Sequence, residues 1–384
     1  MILYLSFMYQ YLVSLFTIAF SLVFIDKIKA QDEQSMPGFG VETNFLAAKV
    51  FKHDAKFNVP IPPLTTAADV NFVWQTYGKK DWQQGRKFPM IGIGLTYTNY
   101  GYNSIYGRCL SVYPNLQVPL IRGQRMEWTL RFGDGLGYVT RKYQTTAPVD
   151  TLNTAIGSHL NDYAMFMTDV RYHIDEHWDV QWGANFTHIS NGDYHQPNLG
   201  VNTVGIHIGL RYFPATSRPK SITRELPKLK NRWLFEVRTG ISFKEARAKD
   251  SLILPSYIIT AYASRRWLGK NKFFFGADYA YHGDVYAFLK NYGVDLGHEK
   301  ANSWDGAFLA GNEFLLGRVG IVTQLGVYYK QTFLKFDACY EKIGCNFYII
   351  KKEHGAIKEL FLSAMLLTHE IVAEYSEFGI GVGL

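Results

Sequence analysis

FTHISNGDYHQPNLGVNTVGIHIGLRYF, residues 186–213, is two runs of alternating character around a turn. On its first side, Val180, Trp182, Ala184, Phe186, His188 and Ser190 share one face of an extended chain, and Gln181, Gly183, Asn185 and Thr187 share the other, because successive strand side chains point to opposite sides. The return run places Asn202, Val204, Ile206, Ile208, Leu210 and Tyr212 opposite Gly205, His207, Gly209 and Arg211. Asn191, Gly192, Pro197, Asn198 and Gly200 are turn formers between them. An apolar, aromatic face opposed by small or charged residues is the two-residue repeat of a transmembrane β-barrel strand. His188, Ser190 and Asn202 then project from the lipid-facing wall, where polar groups are costly unless paired. Facing side chains of neighbouring strands stand about 5 Å apart, within reach of a hydrogen-bond relay. A Ser and a His two residues apart, with an amide behind them, have the makings of a nucleophile, a base and an orienter.

The same alternation recurs elsewhere. In IGIGLTYT, residues 91–98, Ile91, Ile93, Leu95 and Tyr97 oppose Gly92, Gly94, Thr96 and Thr98. Ala164, Phe166, Val170 and Tyr172 oppose Met165, Asp169 and Arg171, and the terminal EFGIGVGL sets Phe378, Ile380, Val382 and Leu384 on one face. The clearest strands fall near 89–98, 125–133, 163–174, 178–190, 202–213, 232–244, 271–281, 304–314, 318–330 and 371–384. The expectation is an all-β, antiparallel transmembrane β-barrel of about 12–14 strands over residues 31–384. Within it, 31–213 contains the His-x-Ser hairpin, and the basic, Pro-containing stretch 214–231 is a connection. Residues 232–384 supply additional strands. Periodicity alone also allows a soluble barrel, with the large residues inside and the charges out.

Composition favours the membrane. Of 384 residues 47% are hydrophobic and only 19% charged, which excludes disorder. Tyr (26) nearly matches Phe (27), as suits surfaces apolar at one end and wet at the other. Mean hydropathy of −0.10 is too polar for a bundle of transmembrane helices. The net charge of +7 suggests an anionic partner, phosphates or a charged lipid surface, rather than nucleic acid. Residues 2–25 are the one long apolar run, and Ala30 before Gln31 is a plausible cleavage point. Residues 1–30 therefore read as a signal peptide; an uncleaved anchor is the competing reading, because the run is long enough to span a bilayer. Cys339 and Cys345 either close a small disulfide loop, leaving Cys109 unpaired, or are unrelated thiols. No cysteine or histidine spacing suits a metal.

The longer pattern, H-x-S-N-G followed by P-N-x-G-x-N from His188 to Asn202, resembles the outer-membrane lipid A deacylases, the PagL-like acyl hydrolases. The motif spans about 15 residues, with a looser barrel resemblance over 40–213 and none over 232–384. The resemblance implies a bacterial outer-membrane esterase that removes an acyl chain from lipid A, or from another acylated lipid of the outer leaflet, without metal or cofactor. It makes Ser190 the nucleophile and His188 the general base. Asn191, Gly192 and Asn198 lie in the turn that supplies oxyanion stabilisation, with Asn198 the better side-chain donor. The family's acidic third member falls at Asn202, an amide, which can fix an imidazole tautomer but cannot offset an imidazolium charge. In a serine protease that exchange costs about 10⁴ in rate. Asp193 in the turn is a candidate substitute; Asp169 faces inward. Arg211, Lys220 and Lys228 suit lipid A phosphates, or form a solvated rim. The alternative to the hydrolase is a non-catalytic barrel, whether a pore, an adhesion surface or a secretion component, that retains the HxSN turn.

Overall fold

The computed structural model describes residues 38–53, 55–214, 219–226, 232–245, 252–267, 269–335, 337–370 and 372–384. The apolar run 2–25 and the cleavage point after Ala30 lie outside the described residues, as does Lys228.

Among the described residues, sixteen strands form two closed barrels of eight. The first contains β1 (Phe39–Val50), β2 (Thr65–Gln75), β3 (Met90–Asn99), β4 (Arg108–Arg122), β5 (Met126–Val139), β6 (Leu160–His173), β7 (Trp178–Ser190) and β8 (Val201–Tyr212). The second contains β9 (Trp233–Glu245), β10 (Ile253–Trp267), β11 (Asn271–His282), β12 (Trp304–Leu316), β13 (Val319–Lys330), β14 (Cys339–Lys351), β15 (Glu359–His369) and β16 (Val372–Gly383). Within each barrel, strands consecutive in sequence pair antiparallel, and closure comes from β1 on β8 and from β16 on β9. The sequence count of 12–14 strands is therefore corrected to sixteen, and residues 232–384 close on themselves instead of extending the first barrel. Strands such as β1, with Glu42 and Asn44, and β4, with Pro114 and Pro119, are not among the clearest runs because their lumenal or proline positions break the apolar signal.

Tight turns join the strands at one end. Asp175 Oδ1 accepts the backbone N–H groups of His177 (2.8 Å) and Trp178 (2.7 Å), which folds β6 back into β7. Gly317, at φ +72°, opens the two-residue link from β12 to β13. Helix α1 (Asp81–Gly85) lies between β2 and β3 and is fastened to Arg224, whose guanidinium reaches Asp81 Oδ1 at 2.6 Å. Helix α2 (Gly283–Tyr292) lies between β11 and β12 and ends on left-handed Gly293. Among the described residues no helix is long and apolar enough to cross a membrane.

The interiors are ionic and the walls apolar. In the first lumen Arg131 contacts Glu42 (2.6 Å) and Asp69 (2.9 Å), and Arg211 contacts Asp179 (2.6 Å). In the second, Lys272 lies 3.0 Å from each of Glu236, Glu313 and Glu359, and Lys342 contacts Asp278 and Glu377. Outside, Ile206 is 68% and Phe308 66% exposed, in company with Leu110, Phe132, Phe235 and Leu325. A soluble barrel has the opposite arrangement, since unpaired apolar surface in water and paired charge in the core are both unfavourable. The inversion identifies transmembrane barrels, whose eight-stranded interiors are filled by side chains.

Two cysteine expectations resolve here. Cys339 and Cys345 do not bridge each other; both lie on β14, six positions apart. At about 3.3 Å per residue their Cα atoms stand roughly 20 Å apart, far beyond disulfide reach.

Candidate active site

The β7–β8 register sets His188 directly opposite Asn202. Ser190 follows His188 by two residues and so shares its outward face, at the last position of β7. Between the strands, Gly192 (φ +61°), Asp193 (φ +63°) and Gly200 (φ +73°) take left-handed backbone, which turns the chain back. Asn198 Oδ1 accepts the backbone N–H of Asn191 at 3.1 Å and so clips the start of the turn to its end. The Asn191 amide donates to Ser158 Oγ at 3.1 Å, and Gly200 N–H donates to the Ala155 carbonyl at 2.9 Å. The turn is thereby held on the segment that joins β5 to β6.

A continuous relay results. Asn202 Oδ1 lies 2.5 Å from His188 Nδ1, and His188 Nε2 lies 3.0 Å from Ser190 Oγ. A carbonyl oxygen only accepts, so Nδ1 carries the imidazole proton and Nε2 presents its lone pair to the serine hydroxyl. Ser190 and Asn202 are buried and His188 half-buried. The arrangement can take a proton from Ser190, hold it on His188 and return it to a leaving group.

The sequence reading brings Ser190, His188 and Asn202 together, and Asn191 with Asn198. Asp193 is not the missing acid. Residues 192–196 group with the second unit, 226–384, where the Asp193 carboxylate pairs with Lys244 Nζ at 3.2 Å. Arg211 is no headgroup cation either; it is fully buried in the lumen on Asp179. Lys220 is exposed. His207 and Asp169 face inward as read, 3.0 Å apart.

Two neighbours and one further role of a turn glycine escaped the sequence reading. A Cβ on Gly200 would stand 2.8 Å from His188 Cε1, so the glycine makes room for the imidazole as well as the turn. His53 Nε2 donates to the Leu199 carbonyl at 2.8 Å, which anchors the end of the turn; an isolated loop histidine gives no sequence signal for this. Asp162 on β6 is directly opposite Ser190. Extending the alternation of Ala164, Phe166 and Val170 by one step toward the N-terminus finds it. Among the described residues no group of three His, Cys, Asp or Glu side chains could hold a metal ion.

Fold and site together define a class, the bacterial outer-membrane β-barrel with a serine–histidine–amide relay. The family model described as lipid A 3-O-deacylase (PagL) matches residues 66–211, and that described as acyloxyacyl hydrolase, C-terminal domain, matches residues 232–384. Residues 66–211 therefore belong to the lipid A 3-O-deacylase (PagL) family and residues 232–384 to the acyloxyacyl hydrolase C-terminal domain family. Among solved structures it is similar to the outer membrane enzyme PagL, with 16% identity and a TM-score of 0.31 over 44% of this chain and 97% of that one. Neisserial surface protein A matches with 13% identity and a TM-score of 0.32 over 46% and 96%. A porin variant of Rhodopseudomonas blastica matches with 8% identity and a TM-score of 0.18 over 91% and 100%. No curated protein matches the chain.

Proposed function

We propose that this chain is a carboxylic ester hydrolase that removes a fatty acyl chain from lipid A at the lipid-facing wall of its first barrel. Ser190 gives its hydroxyl proton to His188 Nε2 as its oxygen attacks the ester carbonyl. The tetrahedral oxyanion is stabilised by the Asn198 amide and by the backbone N–H of Gly192 beyond Asn191. The carbon–oxygen bond to the sugar breaks, and the sugar hydroxyl leaves with the proton from His188. Water, deprotonated by the same nitrogen, then attacks the acyl-serine, releasing the fatty acid and restoring Ser190. Asn202 holds the productive tautomer. In this reading residues 1–30 direct export and residues 31–213 contain the catalytic unit.

The observation that supports this is the unbroken hydrogen-bond line Asn202–His188–Ser190. Mass spectrometry of lipid A from cells expressing the wild type and Ser190→Ala tests it. Loss of one hydroxyacyl mass with the wild type alone is the expected result. Unchanged lipid A in both, with the protein in the outer membrane, would favour a non-catalytic barrel, the reading to which the amide at 202 lends weight.

A further inference from the structure

The segment between β5 and β6, residues 140–159, encloses a cavity of about 250 Å³ lined by Arg141, Lys142, Gln144, Asp150 and His159. Its walls are fixed by the backbone. Gln144 and Asp150 exchange N–H···O=C bonds of 3.0 and 2.8 Å, Tyr143 N–H reaches the Ile156 carbonyl at 2.7 Å, and buried Asn153 binds the Ile105 carbonyl at 2.9 Å. His159 donates from Nδ1 to the Val139 carbonyl at 2.8 Å and stacks on Tyr138, which leaves Nε2 as an acceptor.

Part of the polar lining is left without a protein partner. Among the described residues no carboxylate lies within 4 Å of the Arg141 guanidinium or the Lys142 ammonium, although both side chains are half-buried. Asp150 is 6% exposed, and one of its carboxylate oxygens is buried without a donor. The other accepts the Asn153 N–H at 3.3 Å. Arg141 and Asp150 feel each other's charge only at a distance, and two cations with no carboxylate in contact, in one lining with an unfilled acceptor, suit a ligand that is anionic at one point and carries a hydroxyl next to it. A sugar phosphate has that pattern: Arg141 and Lys142 take the phosphate oxygens, and a ring hydroxyl donates to Asp150. Ser158, next to His159, receives the Asn191 amide, and Ala155 receives Gly200, so the same segment borders the turn beyond Ser190.

We propose that this cavity is a headgroup site for a phosphorylated sugar, through which the protein selects phosphorylated lipid A. The proposal deepens the hydrolase reading and rests on it for the identity of the lipid, though not for the existence of the site. Binding is measured on full-length Ser190→Ala protein in detergent micelles, with bisphosphorylated lipid A and its chemically dephosphorylated form as probes. The parent should prefer the phosphorylated lipid by about tenfold to a hundredfold, the range for one or two charge-assisted contacts. Arg141→Gln/Lys142→Gln should bring that ratio close to one. The exchanged pair Arg141→Lys/Lys142→Arg, which retains both charges, should restore it and so separates charge from folding. A ratio equal in parent and glutamine variant would overturn the site. So would displacement by inorganic phosphate with no preference between the two lipids, which would make the cavity a free-anion pocket. Wild-type deacylation is followed in parallel. Failure to release acyl chains while the binding ratio holds would sink the Ser–His reading and leave the headgroup site standing.

Discussion

At residue 202 a carbonyl amide stands where the family pattern has an acid, and the geometry shows what it retains. Asn202 Oδ1 still accepts from His188 Nδ1, so tautomer and ring orientation are kept while the charge is absent. Asn202→Asp preserves the shape and adds the charge; kcat for acyl release should rise, by up to about 10⁴. Purified variants assayed on lipid A micelles check this, and an unchanged or lower kcat would mean that the amide is matched to a different role. Gly200 makes the opposite case. Alanine there adds strain at φ +73° and a Cβ 2.8 Å from His188 Cε1. Displacing the imidazole by about 1 Å costs about 10² in rate, so Gly200→Ala should lose that much activity while the barrel still folds, as judged by its heat-modifiable migration on gels.

Among the elements, the β7–β8 hairpin is held by its paired strands, and its turn by what the turn grips. Asn198 closes the turn on Asn191, and Asn191 in turn holds Ser158. Asn198→Ala removes both the clip and the proposed oxyanion donor, and kcat should fall by about 10² to 10³ with a smaller change in KM. A change confined to KM would instead assign Asn198 to substrate binding. On β14 the prediction is chemical. Cys339 and Cys345 share a strand too extended to bridge, so all three cysteines of unreduced, denatured protein should react with a thiol reagent.

For each barrel as a whole, the lumen is a closed set of charges. Lys272 answers three carboxylates at 3.0 Å each, and Lys272→Met would leave Glu236, Glu313 and Glu359 facing one another in a dry interior. Breaking such a buried set by removing one partner costs about 3–5 kcal/mol. The temperature at which the second barrel loses its folded gel mobility should drop accordingly. Because β16 closes on β9, residues 232–384 expressed alone should refold in detergent to a heat-modifiable barrel. Aggregation under conditions that refold the full chain would show that closure needs the first unit.

Alternation alone tells which residues of each strand share a face, and the apolar composition then favours the face that meets lipid. Trp182, Phe186, Ile206 and Ile208 alternate with Gln181, Asn185, His207 and Gly209 at a period of two, and that period fixes the faces without any fold. It also placed Ser190, His188 and Asn202 on one wall, because their spacing along the two strands is local. Tertiary structure alone decided the rest. Alternation carries no information about which edge strands meet, so two closures of eight could not be told from one larger ring until β1 met β8 and β9 met β16. Alternation put Arg211 on the inward face, yet only the β7–β8 register shows that Asp179, directly opposite on the adjacent strand, takes up its charge there. The cavity of Arg141, Lys142 and Asp150 has no periodic signature either, since a loop's side chains converge only when distant backbone hydrogen bonds shape it.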